Sequence, residues 1–161
     1  MIYITLGTQS NDFSRCLSEF EKIVVKNGIA EEVVAQTGYT SYKPVSFRCI
    51  DFVSETDYQK YIKEASVVIS HAGSGALFSA IANHKRIIAV ARLAKYNEMV
   101  NDHQTELVKK LSDEGYLVDG TYDMETAWVK IQSFIPNTAE IPCTIKPEIE
   151  LLLNQWGVKG K

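Results

Sequence analysis

Apolar positions along the chain recur with two periods, and segments of each period alternate. Residues 2–6 (IYITL) form a short run of β-branched, aromatic and leucine side chains that stops at Gly7-Thr8. Phe13, Cys16, Leu17, Phe20, Ile23 and Val24 then return every three or four positions as far as Asn27-Gly28, the spacing of an amphipathic helix closed by a glycine. A second strand is expected over residues 32–36, stopped at Thr37-Gly38, and a third over 46–51 after a turn-rich stretch at 39–44. Ser54, with Asp57 three residues on, has the form of a capping box; it opens a helix over 55–64 whose apolar face carries Tyr58, Tyr61, Ile62 and Ala65.

Residues 66–70 (SVVIS) read as a strand covered on both faces, and they run into HAGSGALFSAIANHK, a glycine-rich turn followed by a helix of small residues. A strand at 86–90 (RIIAV), an irregular segment at 91–101, a helix at 102–113, a short strand at 116–119 and a helix at 123–134 follow. A last helix is expected from Pro147, a residue suited to the first helical position, to Trp156. Strands alternating with helices at this spacing predict an α/β domain built on a doubly wound, mostly parallel sheet. The domain is expected to occupy residues 1–135, with 136–161 supplying a linker and the last helix. Ile149, Leu152, Leu153 and Trp156, at spacings of three and four, form an apolar stripe on that helix that either packs on the domain's own sheet or docks on a partner.

Composition narrows the function. A chain of 161 residues with 45% apolar content fits one domain around one core. With 17 basic against 20 acidic residues and a net charge of -3, it lacks the excess of Lys and Arg that gripping nucleic acid requires. No apolar run is long enough to cross a bilayer, and the first residues enter a strand with no basic region or cleavage pattern, so neither a membrane span nor secretion is expected. Cys16, Cys49 and Cys143 are far apart and form no CxxC pair, which argues against a disulfide framework or a zinc site; packing as small apolar residues in a reducing cytoplasm suits them.

In an open parallel sheet the ligand crevice lies beyond the C-terminal ends of the strands, so the loops at 7–11, 37–42 and 71–76 are the places to look. The third is the most informative. In His71-Ala72-Gly73-Ser74-Gly75-Ala76 the glycines let the backbone turn sharply and leave N–H groups and the positive end of a helix dipole facing the crevice, an anion site suited to a phosphate or diphosphate. Ser74 can add a hydroxyl donor, and His71 can hydrogen-bond a phosphate or, protonated, neutralise it. Equally open at this point is that Gly73 and Gly75 only permit close helix-to-sheet packing. Other phosphate and nucleophile motifs are absent. The first loop has one glycine where a dinucleotide fingerprint needs GxGxxG, no GxxxxGK[ST] occurs, and HAGSG misses the GxSxG nucleophile elbow by one position.

A second constellation is NEMVNDHQTE at residues 97–106, which sets Asp102, His103 and Gln104 at the start of a helix. A carboxylate and an amide side by side can make paired hydrogen bonds to sugar hydroxyls. The same residues also read as an N-cap followed by a solvated amide. The pairs Glu31-Glu32, Asp113-Glu114 and Lys109-Lys110 read as solvated faces.

Together ITLGT at the start, QTGY at 36–39, the DF at 51–52, VVISHAGSGALFSAI, IIAV and YNEMVNDHQTELVKKL resemble, in order and spacing, the C-terminal nucleotide-sugar-binding domain of glycosyltransferase family 28 in its stand-alone form. HAGSG with DHQ about 30 residues later is the strongest part of the likeness. The resemblance implies a single Rossmann-like domain equivalent to the C-terminal half of a GT-B fold. It also implies a UDP-sugar donor-binding subunit whose membrane-anchored partner supplies the acceptor-binding half and the catalytic base. Stand-alone members include the cytosolic subunit of the eukaryotic dolichol-linked N-acetylglucosaminyltransferase and bacterial capsule or exopolysaccharide subunits; Arg92, Lys95 and Tyr96 ahead of DHQ look more like the bacterial group.

Carried over by position, Gly7, Thr8, His71, Gly73, Ser74 and Gly75 would hold the diphosphate. Phe52 and Val53 would contact uracil, and Asp102, His103 and Gln104 would hold the donor sugar. Where members carry an acidic residue for the ribose, this chain has Ser79, and Glu98 is the substitute. The resemblance further implies transfer of a hexose to a lipid-linked acceptor in polysaccharide synthesis, no metal or other cofactor, a cytoplasmic protein recruited to the inner face of the membrane, and self-pairing into a homodimer as an option for the isolated chain. A non-catalytic nucleotide or phosphosugar sensor on the same sheet is the competing function.

Overall fold

A computed structural model describes residues 1–141. Its elements follow one another as β1 (Ile2–Thr5), α1 (Ser14–Asn27), β2 (Val33–Gln36), β3 (Arg48–Ile50), α2 (Glu55–Glu64), β4 (Val67–Ser70), α3 (Ser74–Ala82), β5 (Arg86–Ala89), α4 (His103–Asp113), β6 (Val118–Asp119) and α5 (Met124–Ser133). Each expected strand and helix up to residue 134 is present, trimmed by a residue or two at its ends. The irregular segment 91–101 contains one 3₁₀ turn, Ala94–Tyr96. The expected helix at 147–156, its apolar stripe and Cys143 lie outside the described residues.

The strands form one parallel sheet in the order β3-β2-β1-β4-β5-β6. In register, Thr5 lies between Gln36 of β2 and Ser70 of β4. The chain therefore runs outward in one direction over β1 to β3, returns to the middle, and runs outward the other way over β4 to β6. Between β1 and β4 the connections leave in opposite directions, which opens a crevice at the C-terminal ends of those two strands.

Alternation along the strands divides the core into two layers. Ile2, Ile4, Val33, Ala35, Val67, Ile69 and Ile88 face α1 and α5, where Leu17, Phe20, Ala127 and Ile131 meet them. Tyr3, Val34, Val68, Ile87 and Ala89 face the other way, onto Ile62 of α2, Leu77 and Ala80 of α3, and Leu107, Val108 and Leu111 of α4. Both faces are covered, so the central strands need apolar residues at consecutive positions, which is why they read as unbroken runs. Cys16 is buried in the first layer and Cys49 packs at its margin.

Local signals set the helix ends. The Ser54 hydroxyl accepts from Asp57 N–H at 3.1 Å and donates to the Asp57 carboxylate at 2.7 Å, closing the cap that Ser54 and Asp57 predicted. Gly28 ends α1 in the left-handed conformation, φ 58°, its N–H turned back on the Val24 and Val25 carbonyls. Beyond α5, the segment expected as linker is tied to the domain as far as it is described. Asn137 N–H donates to the Gly115 carbonyl at 2.8 Å, and Ile141 packs on the second layer.

Candidate functional site

The loops after β1 and β4 meet at the crevice, and they fit because glycines stand where side chains cannot. Gly7 has φ 73°, and a Cβ there would lie 2.6 Å from His71 Nε2; one on Gly73 would lie 2.3 Å from the same atom. A Cβ on Gly38, after β2, would lie 2.7 Å from the Gly7 carbonyl oxygen. The imidazole of His71 thus fills the space that two glycines leave. Between them Ala72, with φ 61°, holds a left-handed conformation unusual for a residue with a Cβ, and is fully buried.

His71 is fixed from β1. Its backbone N–H donates to the Thr5 carbonyl at 3.1 Å, and its Nδ1 lies 3.0 Å from the same oxygen. A carbonyl only accepts, so Nδ1 carries the proton and Nε2 the lone pair. Burial, helped by the nearby Arg92 charge and opposed by the Thr5 carbonyl, pulls the His71 pKa down to about 4. The ring of the free chain is therefore neutral at pH 7, which favours the first of the two roles expected of it, a hydrogen bond, over a standing positive charge.

Gly73 forms the N-cap of α3, and no side chain caps that helix. The first-turn N–H groups of Ser74, Gly75 and Ala76 have no partner within the helix and stand at the positive end of its dipole. These residues line a cleft of ≈ 720 Å³ together with Gly7, Thr8 and His71. The volume lies within the range of small-ligand pockets, roughly 300–1,000 Å³. A Cβ on Gly75 would meet no protein atom within 4 Å.

The first loop is held from below by a residue given no structural role in the sequence reading. Arg92 is 1% exposed, and its guanidinium donates to the carbonyls of Leu6 at 3.1 Å, Asn11 at 2.9 Å and Asp12 at 3.3 Å. Phe13 covers it, ring centroid 4.5 Å from Cζ. One buried charge thereby fixes both ends of the Gly7 loop. An arginine directly after the buried run IIAVA is a signal that could have been used, because a charge there has to find partners inside.

Glu98 is not at the cleft, and its ribose role is corrected. Its carboxylate receives both Arg15 Nε and Nη2 at 2.9 Å and the Leu93 N–H at 3.0 Å, and it is 4% exposed. With these partners it secures the segment after β5. Asp102 is likewise committed to structure, since its Oδ1 accepts the Ala94 N–H at 2.7 Å and it does not line the cleft. Its neighbours Asn101, His103 and Gln104 do line it. Gln104 Oε1 accepts the Arg92 N–H at 3.0 Å, so the amide NH2 is the group that Gln104 can offer a ligand. Val53 lines the cleft, whereas Phe52 stands outside it, half exposed, edge-on to Tyr39 with ring centroids 5.2 Å apart.

Three lining features were missed in the sequence. Thr5 and Gln36 end their strands at the cleft, joined by a hydrogen bond from Thr5 Oγ1 to Gln36 Oε1 at 3.3 Å; polar residues ending apolar strands were the available sign. Glu55, Tyr58 and Gln59 of α2 also line it, as does Ser79 of α3, the position named above for the ribose. Among the described residues no group of three or more His, Cys, Asp or Glu gathers as a metal site, and no helix is long and apolar enough to cross a membrane.

Known proteins place this geometry in a family. UDP-N-acetylglucosamine transferase subunit ALG13 from Mus musculus is 30% identical over 122 residues, covering 71% of this chain and 10% of that protein. The Homo sapiens protein of the same name is 28% identical over 123 residues, with 72% and 10% covered, and that of Debaryomyces hansenii 31% over 119, with 67% and 53% covered. The chain thus spans about a tenth of the two mammalian relatives and about half of the third. Among solved structures, the NMR structure of ALG13 superposes with a TM-score of 0.58 at 15% identity, covering 94% of both chains. The spinosyn forosaminyltransferase SpnP gives the same score and identity over 94% of this chain and 43% of its own. At such identities these two speak for the fold, that of glycosyltransferases with the GT-B architecture. Residues 1–141 match the glycosyltransferase family 28 C-terminal domain, and the chain belongs to that family.

Proposed function

We propose that this chain is the UDP-sugar donor-binding subunit of a two-component glycosyltransferase that transfers a hexose to a lipid-linked acceptor in polysaccharide synthesis. The observation that carries this reading is the uncapped N-terminus of α3 facing the Gly7 loop across the crevice between β1 and β4. A diphosphate there meets the free N–H groups of Ser74, Gly75 and Ala76, aligned by a helix dipole worth about 0.3–1 kcal/mol, up to roughly 2 when partly buried. The relatives' printed names, which specify a UDP-N-acetylglucosamine transferase subunit, support the donor class and the word subunit.

In the transfer the bond from the anomeric carbon to the diphosphate oxygen breaks, and UDP leaves with the electron pair. The acceptor hydroxyl forms the new bond and gives its proton to a base on the partner subunit. What this chain contributes is charge stabilisation of the leaving group: fixed N–H dipoles placed before the reaction act where negative charge grows. No metal is assigned a role. Gln104, through its NH2, and the neighbouring His103 hold the donor sugar, and Val53 lies against the base. The partner is membrane-anchored, and it draws this cytoplasmic chain to the inner face of the membrane.

An NMR titration of the isolated chain with UDP, UDP-glucose, UDP-galactose, UDP-N-acetylglucosamine and UDP-glucuronate tests the reading, with NAD and GTP as controls. Shifts are expected for UDP compounds alone, at Gly7, Thr8, residues 71–76 and Gln104. Binding confined to other surfaces, or equal responses to NAD and GTP, would remove the donor-site assignment.

A further inference from the structure

The cleft has a second polar edge that the anion loops do not explain. Across the sheet face that carries α2, α3 and α4, α3 lies in the middle, and its N-terminus is flanked by residues of α2 on one side and α4 on the other. Among the described residues lining the cleft, Glu55 alone carries a carboxylate. One turn further along α2, Gln59 donates from Nε2 to Glu55 Oε1 at 2.9 Å. That bond decides what the pair has left. With the amide N–H turned onto the carboxylate, Glu55 Oε2 and Gln59 Oε1 remain as two neighbouring acceptors. An acceptor edge repels phosphate and suits a ligand part rich in hydroxyl donors.

The rest of this edge adds no competing charge. Tyr58, its pKa pushed up to about 12 chiefly by burial, stays a phenol, and Ser79 of α3 lines the cleft with it. Ser79 is five residues beyond Ser74, about 7.5 Å along α3 at 1.5 Å per residue, so this side of the cleft is more than a helical turn from the anion end. Val53, two residues before Glu55, lines the cleft as well. An apolar side chain, then two acceptors, then an anion site match the chemistry of base, ribose and diphosphate in a nucleotide.

We propose that the Glu55–Gln59 pair accepts hydrogen bonds from the cis 2′- and 3′-hydroxyls of the nucleotide ribose, which makes α2 the element that selects ribonucleotide over deoxyribonucleotide donors. The inference rests on the UDP-sugar reading and deepens it. Glu55 is a specificity residue, and Gln59 positions its carboxylate.

The test measures affinities of the full chain and of Glu55→Ala and Gln59→Ala for UDP and 2′-deoxy-UDP. Glu55 is exposed in the first turn of α2, so the variant keeps the fold, as unchanged circular dichroism verifies. The unaltered chain should bind UDP on the order of tenfold more tightly than the deoxy compound, the scale of one hydrogen bond to a charged acceptor. Glu55→Ala should bring UDP down to the affinity of 2′-deoxy-UDP while moving the latter by less than about twofold, and Gln59→Ala should lose a smaller part of the preference. Equal affinity of the unaltered chain for both nucleotides would overturn the proposal, as would a Glu55→Ala loss that is equal for both. So would a loss seen with UDP-sugars and not with UDP, which would assign Glu55 to the sugar. Failure of the unaltered chain to bind either nucleotide would overturn the UDP-sugar reading, and this inference with it.

Discussion

His71 shows how much a single side chain decides at this site. Its pKa of about 4 lies below the 6.5 of an unperturbed imidazole because burial, with Arg92 nearby, disfavours the charged ring. Between those values the unfolded chain binds a proton that the folded chain refuses, so stability falls as pH drops from 6.5 towards 4, by about 3 kcal/mol. A bound diphosphate acts in the opposite direction, since its negative charge beside Nε2 favours the imidazolium. The complex then holds a proton that the free protein lacks, and UDP-sugar affinity should rise as pH is lowered from 7 to 5. A sugar diphosphate is the ligand to use, because terminal phosphates titrate in this range themselves. NMR of the His71 ring gives the direct reading: no titration above pH 5 in the free chain, and an upward shift once UDP-sugar saturates it. A ring that titrates near its ordinary value in the free chain would end the argument. Burial also explains what the sequence hid at this scale. Glu98 is nearly inaccessible, yet it has no periodicity that separates it from the solvated charges around it. Folding brings Glu98 to Arg15 from 83 positions away.

At the scale of elements, the start of α3 separates stability from binding. Gly73 and Gly75 are two residues apart, but one faces the His71 ring at a forbidden distance and the other faces open cleft. Gly73→Ala forces the imidazole out of its place between the loops and should destabilise the fold by about 1–3 kcal/mol, the range for overpacking. Gly75→Ala adds a good helix former where nothing obstructs it, so thermal stability should hold or rise, by up to about 1 kcal/mol. Gly75→Val places a branched side chain where the proposed diphosphate would approach α3, and should weaken UDP binding without a matching fall in melting temperature. Parallel thermal melts and UDP titrations of the three variants check this, and a Gly75→Val loss of binding no larger than its loss of stability would contradict it. The elements themselves were largely legible, because apolar runs and three-four spacing report buried faces directly. The edges were less so: the strand read at 46–51 narrows to Arg48–Ile50 and that at 116–119 to Val118–Asp119, each with one neighbouring strand to pair with. The polar edge of α2 was not legible, since the pattern that placed Tyr58 and Ile62 inside says nothing of what Glu55 and Gln59 face.

Over the described residues as a whole, the cleft lies at one end of the sheet, and the residues around it would stand on a single side of a bound donor. Thr5, Gly7, the 71–76 loop, α2 and the start of α4 form a floor and two walls. Transfer to an acceptor needs a closed site, where water is excluded from the departing UDP and the attacking hydroxyl is held in line with the bond that breaks. On the proposed reading, residues 1–141 supply the donor's half of that arrangement. Among the described residues the carboxylate lining the cleft is Glu55, on the α2 side, and His71 is held to the Thr5 carbonyl through Nδ1. On that reading the base that takes the acceptor's proton belongs to the partner subunit. The isolated chain should therefore bind UDP-sugar reversibly and form no glycoside. Activity should appear on addition of membranes that contain the acceptor-binding subunit, and His71→Ala or Gly75→Val should abolish it in the reconstituted pair. The measurement is transfer of labelled sugar from UDP-sugar to extractable lipid, with chain alone, membranes alone and both together. Transfer by the chain alone to a soluble acceptor would refute the divided site. Reconstituted activity that is indifferent to the His71 and Gly75 substitutions would show that the donor binds elsewhere.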